Sequence, residues 1–134
     1  TATRGWAFSV TNSTGYKIRL TVYGPSSTSA VTKYSNAITI ATGSGSTNWY
    51  HVAVTYNKGA YAFYLNGTQV GTGTFTTTAI NNSTTQLYIG ATNGGGSRKF
   101  NGDIDELRIS QSIRYNGNFT PSASAFSPVP GTTD

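Results

Sequence analysis

Clustered carboxyl groups are the feature of this sequence that comes nearest to catalytic chemistry. The chain of 134 residues has four acidic side chains, and Asp103, Asp105 and Glu106 lie close together. Retaining glycoside hydrolysis needs two carboxyl groups about 5–5.5 Å apart on either side of one bond. On a regular strand Asp103 and Asp105 would share one face, Glu106 would point away, and no further acid follows through Ser110. We therefore predict no catalytic residues and no enzyme, and we expect Asp105 and Glu106 to bond backbone groups or arginines at a sheet edge.

His51 is the only histidine, and the sequence has no cysteine to pair with it as a metal ligand. It lies in the most apolar stretch of the chain, where a lone histidine is more often a hydrogen-bonded core residue than a metal ligand or a catalytic base. The serines do not form the G-x-S-x-G turn of a hydrolase nucleophile. These residues therefore predict no bound cofactor.

A glycine-rich loop, residues 93–97, is the best candidate for a binding surface. No Gly-Lys-Ser/Thr follows it, so it is not a phosphate-binding loop, and we predict a hairpin tip instead. Tyrosines could add faces for stacking on sugars, although tyrosine also fills half-buried strand surfaces. The candidate glycan or partner contacts are Asn93, Arg98, Lys99 and Tyr61.

The charge pattern argues against two classes of partner. The net charge is +5, but the nine basic side chains are scattered along the chain, whereas nucleic-acid binders normally cluster them. No apolar run approaches the length of a membrane span. We therefore predict neither nucleic acid nor membrane as a partner.

The chain reads as a series of strands separated by turn residues. Residues 16–23 alternate, which predicts a half-buried strand with Ile18, Leu20 and Val22 on one face. Residues 49–56 are apolar on both faces, which predicts a central, buried strand. Asn66-Gly67 is the strongest hairpin signal. The other predicted strands are residues 5–10, 31–34, 37–40, 61–65, 68–75, 86–91 and 99–110.

This number of short strands predicts a single all-β domain, an antiparallel β-sandwich or jelly roll. We place the domain at residues 1–128 and a tail or linker at residues 129–134, with one possible helical turn at residues 112–115. The predicted core consists of Trp49, Val52, Val54, Phe63, Leu65, Leu87, Ile89, Leu107 and Ile109.

Five segments form an ordered series of motifs. Residues 48–56 read NWYHVAVTY and residues 63–70 read FYLNGTQV. Residues 87–90 read LYIG, residues 100–109 read FNGDIDELRI, and residues 113–121 read IRYNGNFTP. In order and spacing these segments resemble the hairpin, two later strands and tail of laminin G-like, concanavalin A-like domains. The tail is similar to that of the branch found in bacteriophage virion proteins and other large surface proteins.

The resemblance runs from about Trp6 to Pro128 and implies a concanavalin A-like sandwich. Family domains carry several strands before the segment with which this sequence begins. We therefore expect the opening strands to be lacking, supplied by another segment or replaced by a different closure. Laminin G-like domains can hold calcium at one rim, so the resemblance makes Asp103, with loop carbonyls near Asn93, a calcium candidate.

Two functions fit this interpretation. The first is a non-catalytic structural and interaction domain of a large extracellular assembly, such as a phage virion or tail protein, that packs on other copies or subunits or binds surface glycans. The alternative is a carbohydrate-binding, lectin-like module of a secreted or cell-surface protein, since this fold serves both roles. Both place the protein outside the cell or on the virion surface. In the first, we expect the strand around Trp6 to contact another subunit or segment.

Overall fold

A computed structural model describes residues 4–25, 30–43, 46–76, 79–92 and 98–126. These residues form two antiparallel three-stranded sheets and no helix, which confirms the all-β prediction. The strands are β1 (Trp6–Asn12), β2 (Tyr16–Tyr23), β3 (Ala30–Tyr34), β4 (Val52–Asn57), β5 (Ala60–Leu65) and β6 (Thr68–Thr74). Residues 112–115 contain a bend at Ser112 and no helical turn, so the predicted helical turn is wrong. Among the described residues no helix is long and apolar enough to cross a membrane.

The first sheet has the order β1-β2-β3, with β2 in the middle. Val22 lies opposite Trp6 on one neighbour and Val31 on the other. Successive side chains of a strand point to opposite faces, so the alternation in β2 places Ile18, Leu20 and Val22 together on the core face. All three are buried, as the sequence predicts.

The second sheet has the order β4-β5-β6, so β5 is its central strand. Phe63 and the next residue, Tyr64, are 0% and 1% exposed, so β5 is buried on both faces. The prediction of a central strand at residues 49–56 is wrong. β4 begins only at Val52 and pairs with β5 alone among the described strands, and its side chains up to Tyr56 are half-buried. β5 is central because a tight turn at each end pairs it with both neighbours.

These two turns have the geometry that short hairpins require. Lys58 and Gly59 have φ of 47° and 95°, and Asn66 and Gly67 have φ of 49° and 80°. Positive φ at both central residues is typical of the type I′ turn, whose twist matches that of the paired strands. The hairpin predicted at Asn66-Gly67 is therefore confirmed, and Lys58-Gly59 forms a second one.

The two sheets share one core. Phe63 and Phe75 from the second sheet's side pack with Ile18, Leu20 and Val22 of the first sheet. A bulge in β6 sets Phe63 opposite Gly71 and Tyr64 opposite Gln69. The extra residue, Val70, accepts a hydrogen bond from the Asn36 N–H through its carbonyl at 2.8 Å, which ties the sheets together beside the core.

Buried Ser35 closes the end of β3 against β2. The Ile18 N–H donates to Ser35 Oγ at 2.9 Å, and the Ser35 N–H donates to the Ile18 carbonyl at 2.9 Å. Ser35 Oγ in turn donates to the Asn36 carbonyl at 2.6 Å. This short network satisfies backbone groups where the ladder ends, as buried polar groups require.

The later part of the chain differs from the prediction. Within the described residues, segments 79–92 and 98–126 contain no strand, so the strands predicted at residues 86–91 and 99–110 are wrong. Residues 37–40 are also not a strand and contribute one bridge, between Ile38 and Tyr16. Positive φ at Gly90, Gly102 and Glu106 interrupts the extended backbone of these segments. The alternation of apolar and polar residues in the sequence does not reveal such interruptions.

The predicted core is correct only where strands pair. Phe63 is buried, and Val52, Val54 and Leu65 pack against the core cluster while partly buried. The remaining five are exposed: Trp49, Leu87, Ile89, Leu107 and Ile109. Their exposed fractions reach 63% for Trp49, because an extended segment buries its apolar face only when another layer covers it.

Candidate functional site

The tail of the chain folds back onto the second sheet and forms one side of the candidate site. We call residues 115–121 the tail clasp. The Phe119 N–H donates to the Gly67 carbonyl at 2.9 Å, and the Gln69 N–H donates to Asn118 Oδ1 at 2.8 Å. The Tyr64 hydroxyl donates to the Tyr115 carbonyl at 3.3 Å. The clasp is therefore held at the β5–β6 turn by backbone and side-chain hydrogen bonds.

Aromatic rings pack together where the tail clasp meets the second sheet. Tyr115 and Phe119 are stacked with centroids 3.6 Å apart and an angle of 4° between the rings. The Tyr64 ring lies edge-on to both, at 5.9 Å and 5.4 Å. His51 also meets the Phe119 ring edge-on at 5.4 Å. The clasp therefore covers the outer face of β5 and explains why Tyr64 is buried there.

His51 is a packing residue of this cluster. Its backbone N–H donates to Asn66 Oδ1 at 2.9 Å, and its carbonyl accepts from the Asn66 N–H at 2.7 Å. Its Nδ1 atom is buried and has no hydrogen-bond partner among the described residues, so the prediction of a hydrogen-bonded side chain is wrong at this atom. Burial lowers the pKa of the His51 imidazole, which favours the neutral ring.

A cleft of about 510 Å³ opens beside the tail clasp. Arg108 and Arg114 line it together with Thr120, Ser122 and Phe126. The Arg108 guanidinium carbon lies 4.3 Å from the centre of the Phe126 ring, a cation–π contact. Arg114 Nε donates to Ser110 Oγ at 2.6 Å. This cleft was not predicted from the sequence, where only the nearness of Arg108 and Arg114 to the aromatic tail motif signals it.

The three clustered acids lie on an exposed segment. Asp105 Oδ1 accepts a hydrogen bond from the Glu106 N–H at 2.8 Å, and Glu106 Oε2 accepts one from the Phe126 N–H at 2.5 Å. The prediction that Asp105 and Glu106 bond backbone groups is confirmed, although their segment is not a sheet edge in this structure. The regular-strand geometry assumed for Asp103 and Asp105 is absent, because Gly102 and Glu106 both have positive φ.

The calcium candidate gains no support from the side chains around it. Asp103 is exposed, and the described residues contain no group of three acidic, histidine or cysteine side chains that could hold a metal ion. Asn93, near which the loop carbonyls of the predicted site would lie, is outside the described residues. The described residues thus neither support nor test the calcium site, and calcium stays a prediction.

The other residues predicted to contact a glycan or partner lie in different parts of the structure. Arg98 and Lys99 are exposed. Tyr61 is half-buried on β5, where its ring packs against Phe63 and Phe75 at 5.3 Å and 5.1 Å. Within the described residues no hydrogen bond or ring contact joins Tyr61 to either basic side chain. A role of these residues in glycan or partner binding stays a prediction.

Comparison with known proteins identifies the family. A family model for the concanavalin A-like lectin/glucanases superfamily, of the laminin G type, matches residues 1–115. Searches of curated proteins and of solved structures found no match. The family match covers most of the chain, including both sheets and the exposed acidic segment. The paired sheets and this match agree, and the chain belongs to the concanavalin A-like lectin/glucanases superfamily as a laminin G-like domain.

Proposed function

We propose that this chain is a non-catalytic structural and interaction domain of a large extracellular assembly, of the kind that forms a phage virion or tail, and that it packs on neighbouring subunits. Domains of this family commonly bind carbohydrate or other partners and are generally non-catalytic. The observation that supports the packing role is a set of large apolar side chains left exposed. We call this set the exposed apolar strip; its members are Leu87, Ile89, Phe100, Ile104, Leu107 and Ile109.

The two segments that carry the exposed apolar strip meet at Gly90. The Phe100 N–H donates to the Gly90 carbonyl at 2.7 Å, and Ile104 Cδ1 lies next to the Cα of Gly90, 3.7 Å from where a Cβ would stand. Exposed fractions of 56% for Leu87 and 54% for Leu107 are high for such large apolar residues. Large apolar side chains exposed on two neighbouring segments favour an interaction surface.

A neighbouring subunit is the partner that fits this surface. The strip belongs to segments that resemble strands of the family, and such segments gain stability when strands from another chain pair with them. Trp6, 41% exposed, starts β1 at the edge of the first sheet and offers a second contact. The proposed neighbour therefore contributes strands that cover the strip and the β1 edge.

Sedimentation velocity over a range of concentrations tests the packing role. We expect the purified chain to associate as its concentration rises, and we expect Leu107→Glu to weaken this association because it places a charge on the strip. Thr39→Glu, at an exposed polar position outside the strip, is the matched control and should leave association unchanged. A chain that stays a monodisperse monomer at every concentration would overturn the proposal.

Carbohydrate binding is the second candidate function, and the cleft beside the tail clasp favours it. Arginine, hydroxyl and aromatic side chains converge there, a combination that suits a polar ligand with a ring. In this role the chain is a lectin-like module of a secreted or surface protein, and the cleft is its binding site.

A further inference from the structure

Asn-Gly pairs are a reactive motif that needs no second reactive side chain. The asparagine of such a pair loses ammonia spontaneously, because glycine has no Cβ to keep its nitrogen away from the side-chain amide. The sequence has this pair at Asn66, Asn93, Asn101 and Asn116, and Asn93 lies outside the described residues. We propose that Asn116 in the tail clasp is a site of spontaneous modification, at which conversion to isoaspartate loosens the clasp. This inference does not depend on what the chain binds.

The reaction at Asn116 consumes only water. The Gly117 nitrogen bonds to Asn116 Cγ and gives up its proton, the Cγ–Nδ2 bond breaks, and ammonia leaves a five-membered imide. Water then opens the imide at one of its two C–N bonds. Opening at Cγ gives aspartate, whereas opening at the backbone carbonyl carbon gives isoaspartate, in which the main chain runs through Cβ and Cγ. Both products add a negative charge, and isoaspartate also lengthens the main chain by a methylene group.

The structure leaves the pair at Asn116 free to react. Asn116 is exposed, and within the described residues no hydrogen bond holds its side-chain amide or the Gly117 N–H. Apart from the chain neighbours of Gly117, no atom lies within 4 Å of where its Cβ would stand. The amide and the nitrogen can therefore approach each other without breaking another hydrogen bond of the fold.

The same pair at Asn66 is protected by its surroundings. Asn66 Oδ1 accepts a hydrogen bond from the His51 N–H at 2.9 Å. Gly67 is buried against the Phe119 carbonyl, and both residues of the pair have the positive φ of a tight turn. Attack by the Gly67 nitrogen would have to break this hydrogen bond and distort the turn. We therefore expect Asn66 to react more slowly than Asn116.

The position of Asn116 gives the reaction a structural consequence. Two contacts hold the clasp on either side of the pair: the Tyr115 carbonyl accepts from the Tyr64 hydroxyl at 3.3 Å, and Asn118 Oδ1 accepts from the Gln69 N–H at 2.8 Å. A methylene inserted between these contacts adds a C–C bond of about 1.5 Å to the main chain. A gap of about 0.5–1 Å already removes a quarter to a half of the dispersion attraction between two groups. The longer chain therefore strains both contacts and the stack of rings beside them.

Incubation of the full chain in mildly alkaline buffer tests the site, and mass spectrometry of its peptides measures conversion at each pair. Asn101 is the internal reference, because it is exposed, precedes a glycine and lies outside the clasp. We expect Asn116 to convert at a rate similar to that of Asn101. It should also convert about fivefold or more faster than Asn66, whose hydrogen bond must break first. Conversion of Asn116 as slow as that of Asn66 would overturn the proposal.

Hydrogen exchange of the Phe119 N–H reports whether the clasp loosens, because this group donates to the Gly67 carbonyl. We expect about tenfold faster exchange in the chromatographically separated isoaspartate form than in the freshly purified chain, as when the stability of about one hydrogen bond is lost. Unchanged exchange in the isoaspartate form would also overturn the proposal, since the modification would then leave the clasp in place.

Gly117→Ala is the matched variant. The φ of Gly117 lies outside the left-handed region and the added Cβ has room, so the clasp should fold normally, whereas the methyl group hinders attack by the nitrogen. After incubation this variant should keep the slow exchange of the Phe119 N–H. Exchange as fast as in the incubated unmodified chain, without conversion at Asn116, would place the cause at another site and contradict the proposal.

Asn116→Asp separates the charge from the longer chain. The freshly purified variant carries the new carboxylate without the extra methylene, so the Phe119 N–H should exchange as slowly as in the unmodified chain. Fast exchange in this variant would assign the loosening to charge alone and overturn the role of isoaspartate.

Discussion

The rings of Tyr115 and Phe119 lie parallel, with centroids 3.6 Å apart, and together they cover the outer face of β5. Their contacts with Tyr64 and His51 join residues that are more than fifty positions apart in the sequence. This stack fixes the tail clasp to the sheet and at the same time forms part of the wall of the cleft. The stability of the second sheet and the shape of the cleft are therefore coupled through two side chains.

Phe119→Ala should destabilise the fold measurably. The substitution removes a half-buried ring from contact with Tyr115, Tyr64 and His51, and we expect a loss of about 1.5–3 kcal/mol in the free energy of unfolding. Denaturant unfolding followed by aromatic fluorescence measures it. Phe100→Ala is the control, since Phe100 is 53% exposed and should cost much less. Equal losses in the two variants would contradict the covering role of the clasp.

Gly67→Ala should dislodge the tail clasp. A Cβ at Gly67 would stand 1.8 Å from the Phe119 carbonyl oxygen, and φ is +80°. Gly15→Ala is the matched control, because its φ is +89° and nothing lies within 4 Å of the added Cβ. Both variants carry backbone strain of about 1–2 kcal/mol, but only Gly67→Ala also carries the collision with the clasp.

Limited chymotrypsin digestion separates the two glycine variants. We expect faster cleavage after Tyr115 and Phe119 in Gly67→Ala than in Gly15→Ala, because a displaced clasp exposes its backbone to the protease. Similar cleavage rates in both variants would show that the clasp tolerates the added methyl group and that its docking at this turn is loose.

Local patterns in the sequence predict the sheets well where neighbouring strands follow each other along the chain. The alternation in β2 gives its buried face, and Asn66-Gly67 gives the turn between β5 and β6, because each depends on a few adjacent residues. The central position of β5 is harder to predict from the sequence, since it depends on turns at both ends of the strand. The exposed apolar strip could not be predicted, because alternation shows an extended segment but not whether a partner covers it.

The candidate site depends on contacts between segments that are distant along the chain, and such contacts are harder to predict from the sequence. The prediction that Asp105 and Glu106 bond backbone groups was correct, since the chain has few acidic side chains that could form a catalytic pair or a metal site. The cleft was missed, because its lining becomes a surface only when the tail clasp folds back on Gly67. Tail motifs identify the segment but not the place where it docks.

Ser35→Ala should destabilise the end of the first sheet. The substitution removes the acceptor of the buried Ile18 N–H, and a buried donor without a partner costs about 1–3 kcal/mol. Ser13→Ala, in the exposed turn between β1 and β2, is the control and should change the free energy of unfolding by about 0.5 kcal/mol or less. Unfolding in urea gives both values. A loss in Ser35→Ala no larger than that of the control would mean that water replaces the hydroxyl.

Incubation with laminarin, agarose or hyaluronan should release no products. Asp103, Asp105 and Glu106 are exposed, and Asp105 and Glu106 accept hydrogen bonds from backbone N–H groups. These carboxyl groups are therefore not arranged as a pair on either side of a bond to be cleaved. Reducing-end assays at long incubation times measure the release. Turnover that disappears in Asp103→Asn or Glu106→Gln would disprove the prediction and make the acidic segment catalytic.

Stability should fall as the pH drops below that of neutral solution, because of His51. Burial lowers the pKa of this imidazole in the folded chain, whereas in the unfolded chain it keeps its ordinary value of about 6.5. Above that pH both states hold a neutral ring and its contribution to stability is complete. As the pH falls, the unfolded chain takes up a proton first, so unfolding is favoured increasingly until the pH passes the lowered pKa of the folded state.

Unfolding curves at several pH values between 7.5 and 5, for the unmodified chain and for His51→Gln, test this prediction. The groups around the His51 ring are the uncharged rings of Tyr115 and Phe119, and the adjoining Asn66 bonds its backbone, so no described carboxylate contact is available to stabilise an imidazolium. His51 is the only histidine, so glutamine should remove most of the pH dependence in this window. A cation–π attraction to the Phe119 ring would act in the opposite direction and raise the pKa of the ring. If the unmodified chain became more stable as the pH fell, that attraction would outweigh the cost of burial, and the direction predicted here would be wrong.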